Sequence, residues 1–132
     1  MHHRTLVCLT WLIIITFAGA LRLSNLETRP LHADEATGAR ILSQRLAGDY
    51  QFNPKHFHGP LLSLLTEPLA RLHDENTWQS LSIETIRLSP VIAGILLCLT
   101  PLLWRRVMGD YGAALSAALL ATSPLLVYYS RM

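Results

Sequence analysis

The chain is 132 residues long, 51% hydrophobic and only 15% charged, with a mean hydropathy of +0.31. That charged share lies well below the roughly 25% of soluble domains and argues against an ordinary water-soluble globule. Eleven Lys and Arg against nine Asp and Glu leave a net charge of +2, too little for the dense basic face that nucleic-acid binding needs. Three long apolar runs, each near the roughly 20 residues that cross a bilayer as helix, point instead to a membrane protein.

The first run, Thr5 to Leu21, carries no charge and lies between Arg4 and Arg22. Ala18-Gly19-Ala20 also fits the small-residue rule of a cleaved signal peptide, so a secreted or peripheral chain released after Ala20 is a competing reading. The run exceeds the roughly 7 to 15 residues of a signal core and two further apolar runs follow, which favours a retained helix. Asp34 then predicts the N-cap of a helix through Leu46 that stops at Gly48, with Ala39, Leu42 and Leu46 on one stripe. A second helix is predicted after Gly59-Pro60, where Leu61, Leu65, Leu69 and Leu72 line one face. With Glu67, Pro68 and Arg71 it is too short and polar to span, and it fits an amphipathic helix along the membrane surface. His73 to Ser82 reads as a solvated connector with a polar turn at Asp74-Glu75-Asn76. Leu88 to Trp104 and Tyr111 to Tyr129 are the second and third runs, joined by the short Val107-Met108-Gly109-Asp110 turn into a hairpin. Cys8 and Cys98 sit inside apolar runs without ligand spacing, as small buried hydrophobes.

Positive charge near short segments sets orientation. Arg4 with Arg105 and Arg106 marks the cytoplasmic side of a multi-pass protein of the cell (inner) membrane, and residues 22–87 become an external loop. The expected fold is an all-α membrane protein: three transmembrane helices plus one long external loop with two short juxtamembrane amphipathic helices. Its parts are a first span (1–21), the loop (22–87) and a transmembrane hairpin (88–132).

Chemistry concentrates in Asp34-Glu35. Adjacent residues on a helix point about 100° apart, so one carboxylate aims at a reacting atom while the other positions it. The plain alternative is that Asp34 caps the helix and Glu35 favours its positive end. His56 and His58, two apart beside Lys55, share one side of an extended segment and suit a metal or phosphate, although no third ligand stands at recognisable spacing. Arg87 and Arg131 fall at the external ends of the second and third spans. Arginines there snorkel to the interface or clamp a lipid phosphate with the guanidinium fork.

The order of these features is specific. An outward helix precedes His32-Ala33-Asp34-Glu35-Ala36, followed by Phe57-His58-Gly59-Pro60-Leu61-Leu62, by Ile86-Arg87-Leu88-Ser89-Pro90 opening a helix, by a basic turn, and by Ser123-Pro124 through Tyr128-Tyr129-Ser130-Arg131. From about Leu6 onward the chain resembles the N-terminal part of GT-C membrane glycosyltransferases. Among these it is most similar to the dolichyl-phosphate-mannose protein mannosyltransferase group (glycosyltransferase family 39) and its relatives, including aminoarabinose transferases. The resemblance implies transfer of a sugar from a polyprenyl-phosphate carrier to a hydroxyl acceptor, protein or glycolipid, on the external face. It makes Asp34 the general base with Glu35 as its neighbour, and gives Arg87 and Arg131 to phosphate or loop positioning. His58 stands where many members carry His-Pro-Pro or Lys-Pro-Pro, with glycine here in place of the first proline. No cofactor is assigned, and a divalent cation is left open. Members of the family carry many more spans, so the chain is expected to be an N-terminal fragment with little activity of its own. The rival expectation is a non-enzymatic membrane subunit whose outer loop binds a partner.

Overall fold

A computed structural model describes residues 2–54 and 59–132, with side chains from residue 4 onward. Among the described residues every regular element is helical: α1 His2–Leu23, α2 Ala33–Leu46, α3 Leu61–Leu72, α4 Ile83–Leu99, α5 Arg105–Thr122 and α6 Pro124–Tyr129, with 3-10 turns at Leu26–Thr28 and Thr100–Trp104. Two helical stretches, Arg4–Thr28 and Ile83–Thr122, are long and apolar enough to cross a membrane. The chain divides into two compact units, one of residues 1–24 and 91–131, the other of residues 25–90 with Met132.

In the first unit α1 and α5 meet along alanines. Ala113, Ala117 and Ala121 recur every fourth residue and are buried against Trp11 and Ala18 of α1. Small side chains at that spacing let two backbones approach closely, the packing that membrane helices favour. Cys98 of α4 joins Ala18 and Ala121 in one cluster, so α5 runs back beside α4. Cys8, expected to be buried, lies on an exposed face of α1 among Leu6, Leu9 and Leu12.

Prolines divide the later apolar runs into shorter pieces than their composition suggests. Pro101 has no N–H for the Leu97 carbonyl four residues back. The Thr100 hydroxyl donates to that carbonyl at 2.8 Å, and the run continues as a 3-10 turn to Trp104. The expected turn at Val107 to Asp110 contains Gly109 at φ 73°, ψ 171°, a conformation that favours glycine, and Arg105 pairs with Asp110 across it. The third run forms two helices, because Pro124 drives Ser123 out of the helical region to ψ 116°.

Pro124 likewise deprives the Leu120 carbonyl of its helical donor, and Arg22 replaces it. This guanidinium is fully buried; Nη2 donates to the Leu120 carbonyl at 3.1 Å, and Nη1 to those of Ala121 at 3.1 Å and Ala18 at 3.3 Å. Gly94 makes the approach possible, since a Cβ there would lie 3.0 Å from Arg22 Nε and 2.4 Å from the Ser130 Cβ. Arg22, anticipated only as the boundary of the first span, thus pins α1 to the broken end of α5.

In the second unit α2 packs on α3. Helix α2 begins before Asp34: His32 is the N-cap, its Nδ1 accepting the Asp34 N–H at 3.3 Å, while the Glu35 carboxylate accepts the His32 N–H at 2.7 Å. This reciprocal cap moves Asp34 into the first turn, where a histidine does what serine or aspartate usually does. The far end stops as predicted. Gly48 at φ 80° reverses the chain, its N–H donating to the Arg45 carbonyl at 3.0 Å and the Asp49 N–H to that of Gln44 at 2.9 Å, a Schellman motif.

Helix α3 also spans the predicted residues, yet its leucines do not supply its packing. Ser63, Thr66 and Ala70 are buried, whereas Leu61, Leu64, Leu65 and Leu72 are exposed. Small inward side chains allow the close contact with α2, and the Thr66 hydroxyl donates to Ser89 Oγ at 2.8 Å. The connector before α4 is tied rather than merely solvated. Glu75 accepts the Ser82 N–H at 3.2 Å, Ser82 Oγ caps α4 by accepting the Thr85 N–H at 3.1 Å, and His73 Nδ1 lies 3.2 Å from Thr85 Oγ1.

Candidate functional site

The acidic pair opens α2, and its two carboxylates have opposite surroundings. Glu35 is buried, with its side chain only 5% exposed, and faces Arg87, whose side chain is 1% exposed. Arg87 Nε donates to Oε1 at 2.6 Å and Nη2 to Oε2 at 2.9 Å, the two-pronged geometry that makes guanidinium–carboxylate pairs strong. Nη1 donates to the carbonyls of Leu26 and, at 3.1 Å, Arg29, and Nη2 to that of Pro30 at 3.2 Å. A guanidinium has five N–H groups, and all five are engaged. Arg87 therefore gathers the Leu26–Pro30 segment, the start of α2 and the start of α4 around one carboxylate.

Burial by itself raises the pKa of the Glu35 carboxyl. The hydrogen bonds from Arg87 and the His32 backbone, with the positive charges of Arg87 and Arg29, outweigh it and hold the group below the ordinary carboxylate range. Glu35 is thus an anion with its oxygens occupied, suited to positioning rather than to taking a proton.

Asp34, one residue earlier, has a side chain 75% exposed, with Oδ2 at 3.8 Å from His32 Nδ1. Of the two adjacent carboxylates, Asp34 is thus the one in solvent and Glu35 the one enclosed. Arg131 lies in the other unit, where Nη2 donates to the Ser24 carbonyl at the end of α1. His58, like His56 and Lys55, lies outside the described residues. Among the described residues no group of three or more His, Cys, Asp or Glu side chains is placed to hold a metal ion.

A second polar chain escaped the sequence reading. Arg45 of α2 meets Glu67 of α3 at 3.0 Å, Arg71 holds the other Glu67 oxygen at 2.9 Å, and the Arg45 guanidinium lies 5.2 Å from the centre of the Tyr50 ring. The hydrogen bond from Arg71, then that from Arg45, hold the Glu67 carboxyl below its ordinary value against the opposing effect of burial. Glu67 and Arg71 at i and i+4 are visible in sequence. Arg45, 22 residues away, gives no such cue. The role of Glu35 in the cap was legible in its place three residues after His32, once histidine is admitted as a cap.

Comparison of the chain with family models, with curated proteins and with solved structures yields no match.

Proposed function

We propose that the chain is the N-terminal part of a membrane glycosyltransferase of the GT-C kind, moving a sugar from a polyprenyl-phosphate carrier to a hydroxyl acceptor at the external face of the cell membrane. In this reading α1, α4 and the α5–α6 segment are three crossings. Residues 22–87 lie outside, and the exposed leucines of α3 rest in the lipid interface, an apolar medium in which their exposure has no hydration cost. Asp34 takes the proton of the acceptor hydroxyl as its oxygen attacks the anomeric carbon. The bond from that carbon to the phosphate oxygen breaks, and the polyprenyl phosphate departs with the electron pair. Glu35 and Arg87 hold the helix start that carries Asp34. Since every Arg87 donor is engaged, the carrier phosphate is met by other cations.

The observation that carries this reading is the division within the acidic pair, one carboxylate buried and doubly bonded, the next in solvent at the first turn of the same helix. Asp34→Asn tests it in membranes containing the complete reading frame, with a radiolabelled sugar on polyprenyl phosphate as donor. Transfer is expected to fall by about 10²–10⁴-fold, the usual worth of a general base, with the protein still folded because the position is exposed. Transfer at the normal rate sinks the assignment. An Ala33→Cys thiol on a Cys8→Ser, Cys98→Ser background is expected to react with a membrane-impermeant maleimide added outside, and labelling from the cytosol alone contradicts the topology.

A further inference from the structure

The outer face of α2 bears a groove that the acidic pair does not use. The Schellman turn at Gly48 sends the chain back beside the helix, and between them lies a cavity of about 290 Å³, lined by Thr37, Arg40, Ile41 and Gln44 of α2 and by Tyr50, Gln51 and Asn53 of the returning segment. That volume is at the lower end of small-molecule sites, which run from roughly 300 to 1,000 Å³, and suits one ring rather than a polymer. Its far wall is held in place. Tyr50 lies under the Arg45 guanidinium, which Glu67 anchors from α3.

We propose that this groove binds a single sugar unit bearing an anionic substituent, and, resting on the transferase reading, that it is the acceptor subsite. Three carboxamides among seven lining residues, with one hydroxyl, one phenol, one guanidinium and a single aliphatic side chain, decide the ligand class. Each carboxamide presents a donor and an acceptor side by side, as each sugar hydroxyl does, so adjacent hydroxyls and carboxamides satisfy one another. A peptide strand needs an open sheet edge or a series of apolar pockets, whereas this lining has no strand and a single aliphatic side chain, Ile41. Arg40 is the charged residue of the lining, and its fork suits a phosphate or carboxylate on the sugar. Asp34 and Thr37, three residues apart, share a face of α2 about 4.5 Å apart along the axis at 1.5 Å per residue. Asp34 lies outside the lining, and a sugar seated at Thr37 is one helical turn from its carboxylate.

Glucose 6-phosphate is the probe, titrated into the full chain in phosphatidylcholine nanodiscs and followed by ligand-observed NMR, with glucose and inorganic phosphate alongside. Saturable binding of glucose 6-phosphate is expected, with each of the other two weaker by about tenfold or more. Arg40→Gln reduces glucose 6-phosphate to the level of glucose, and Gln44→Leu weakens glucose and glucose 6-phosphate alike. Both positions are exposed, so circular dichroism of the variants matches the parent. Absence of saturable binding, binding unchanged in both variants, or inorganic phosphate binding as well as the sugar phosphate overturns the proposal. Asp34→Asn leaves binding intact. Sugar binding without transfer activity therefore counts against the transferase reading alone, and transfer without sugar binding counts against the groove alone.

Discussion

Glu35 and Arg87 are 52 residues apart in sequence and 2.6 Å apart in space, each almost wholly out of solvent. Removing one partner of such a pair strands the other as an uncompensated buried charge, which costs about 3–5 kcal/mol. Arg87→Met and Glu35→Gln are each expected to lower the unfolding midpoint in detergent micelles by a corresponding amount. Arg87→Lys does not rescue, because an ammonium has three donors where five acceptor contacts wait. A lysine variant as stable as the parent would show that charge alone matters at this site.

Acid tests the same pair. The Glu35 carboxyl ionises at lower pH in the folded chain than in the unfolded one, whose value is 4.5. The folded state then binds fewer protons than the unfolded state, so the pair's stabilisation is complete above that value and is lost as pH falls through the folded pKa. The stability difference between the parent and Glu35→Gln is expected to be constant from pH 7 to about 5 and to shrink below 4.5. A difference that grew on acidification would reverse the sign assigned to Glu35.

Arg22 and Pro124 form a thermodynamic cycle. Arg22→Met leaves the Leu120 and Ala121 carbonyls buried without donors, an expected loss of about 1–3 kcal/mol for each. Pro124→Ala restores an N–H four residues after Leu120, so the arginine substitution is expected to cost less on that background. Additive effects in thermal melts would separate the two residues. Gly94→Ala is expected to destabilise the same corner, where its Cβ would meet Ser130 at 2.4 Å.

Gly48→Ala tests the turn behind the groove. Nothing lies within 4 Å of a Cβ at that position, so the effect isolates the backbone strain of φ +80°. The expected loss is about 1–2 kcal/mol, together with weaker glucose 6-phosphate binding, measured by melting and by the titration above. An unchanged midpoint would mean that the turn adopts another conformation.

The local elements were legible because local physics made them. The glycine stop at Gly48, the helix after Pro60, and the apolar lengths of α1 and of the α4–α5 stretch follow from cap chemistry, backbone restriction and hydropathy, all properties of neighbouring residues. The N-cap was misplaced by two positions because His32, a poor cap by preference, competes successfully only when Glu35 closes the reciprocal bond. On α3 the leucine periodicity located the helix but did not say which face would be buried, because hydrophobic spacing does not specify whether the surrounding medium is water or lipid.

By itself the sequence determined that the chain is helical, where α2 stops and α3 starts, that it holds long apolar runs, and which residues carry charge near their ends. Only the tertiary structure decided what those charges do. Arg22 and Arg87 look alike as basic residues at the edges of apolar runs, yet one closes the carbonyls freed by Pro124 and the other surrounds Glu35. Asp34 and Glu35, equal in sequence, are separated by burial. The reason is that a hydrogen-bonding group taken out of water must find its partners wherever the fold brings them, and for these groups partners lie as far as 52 to 99 residues away.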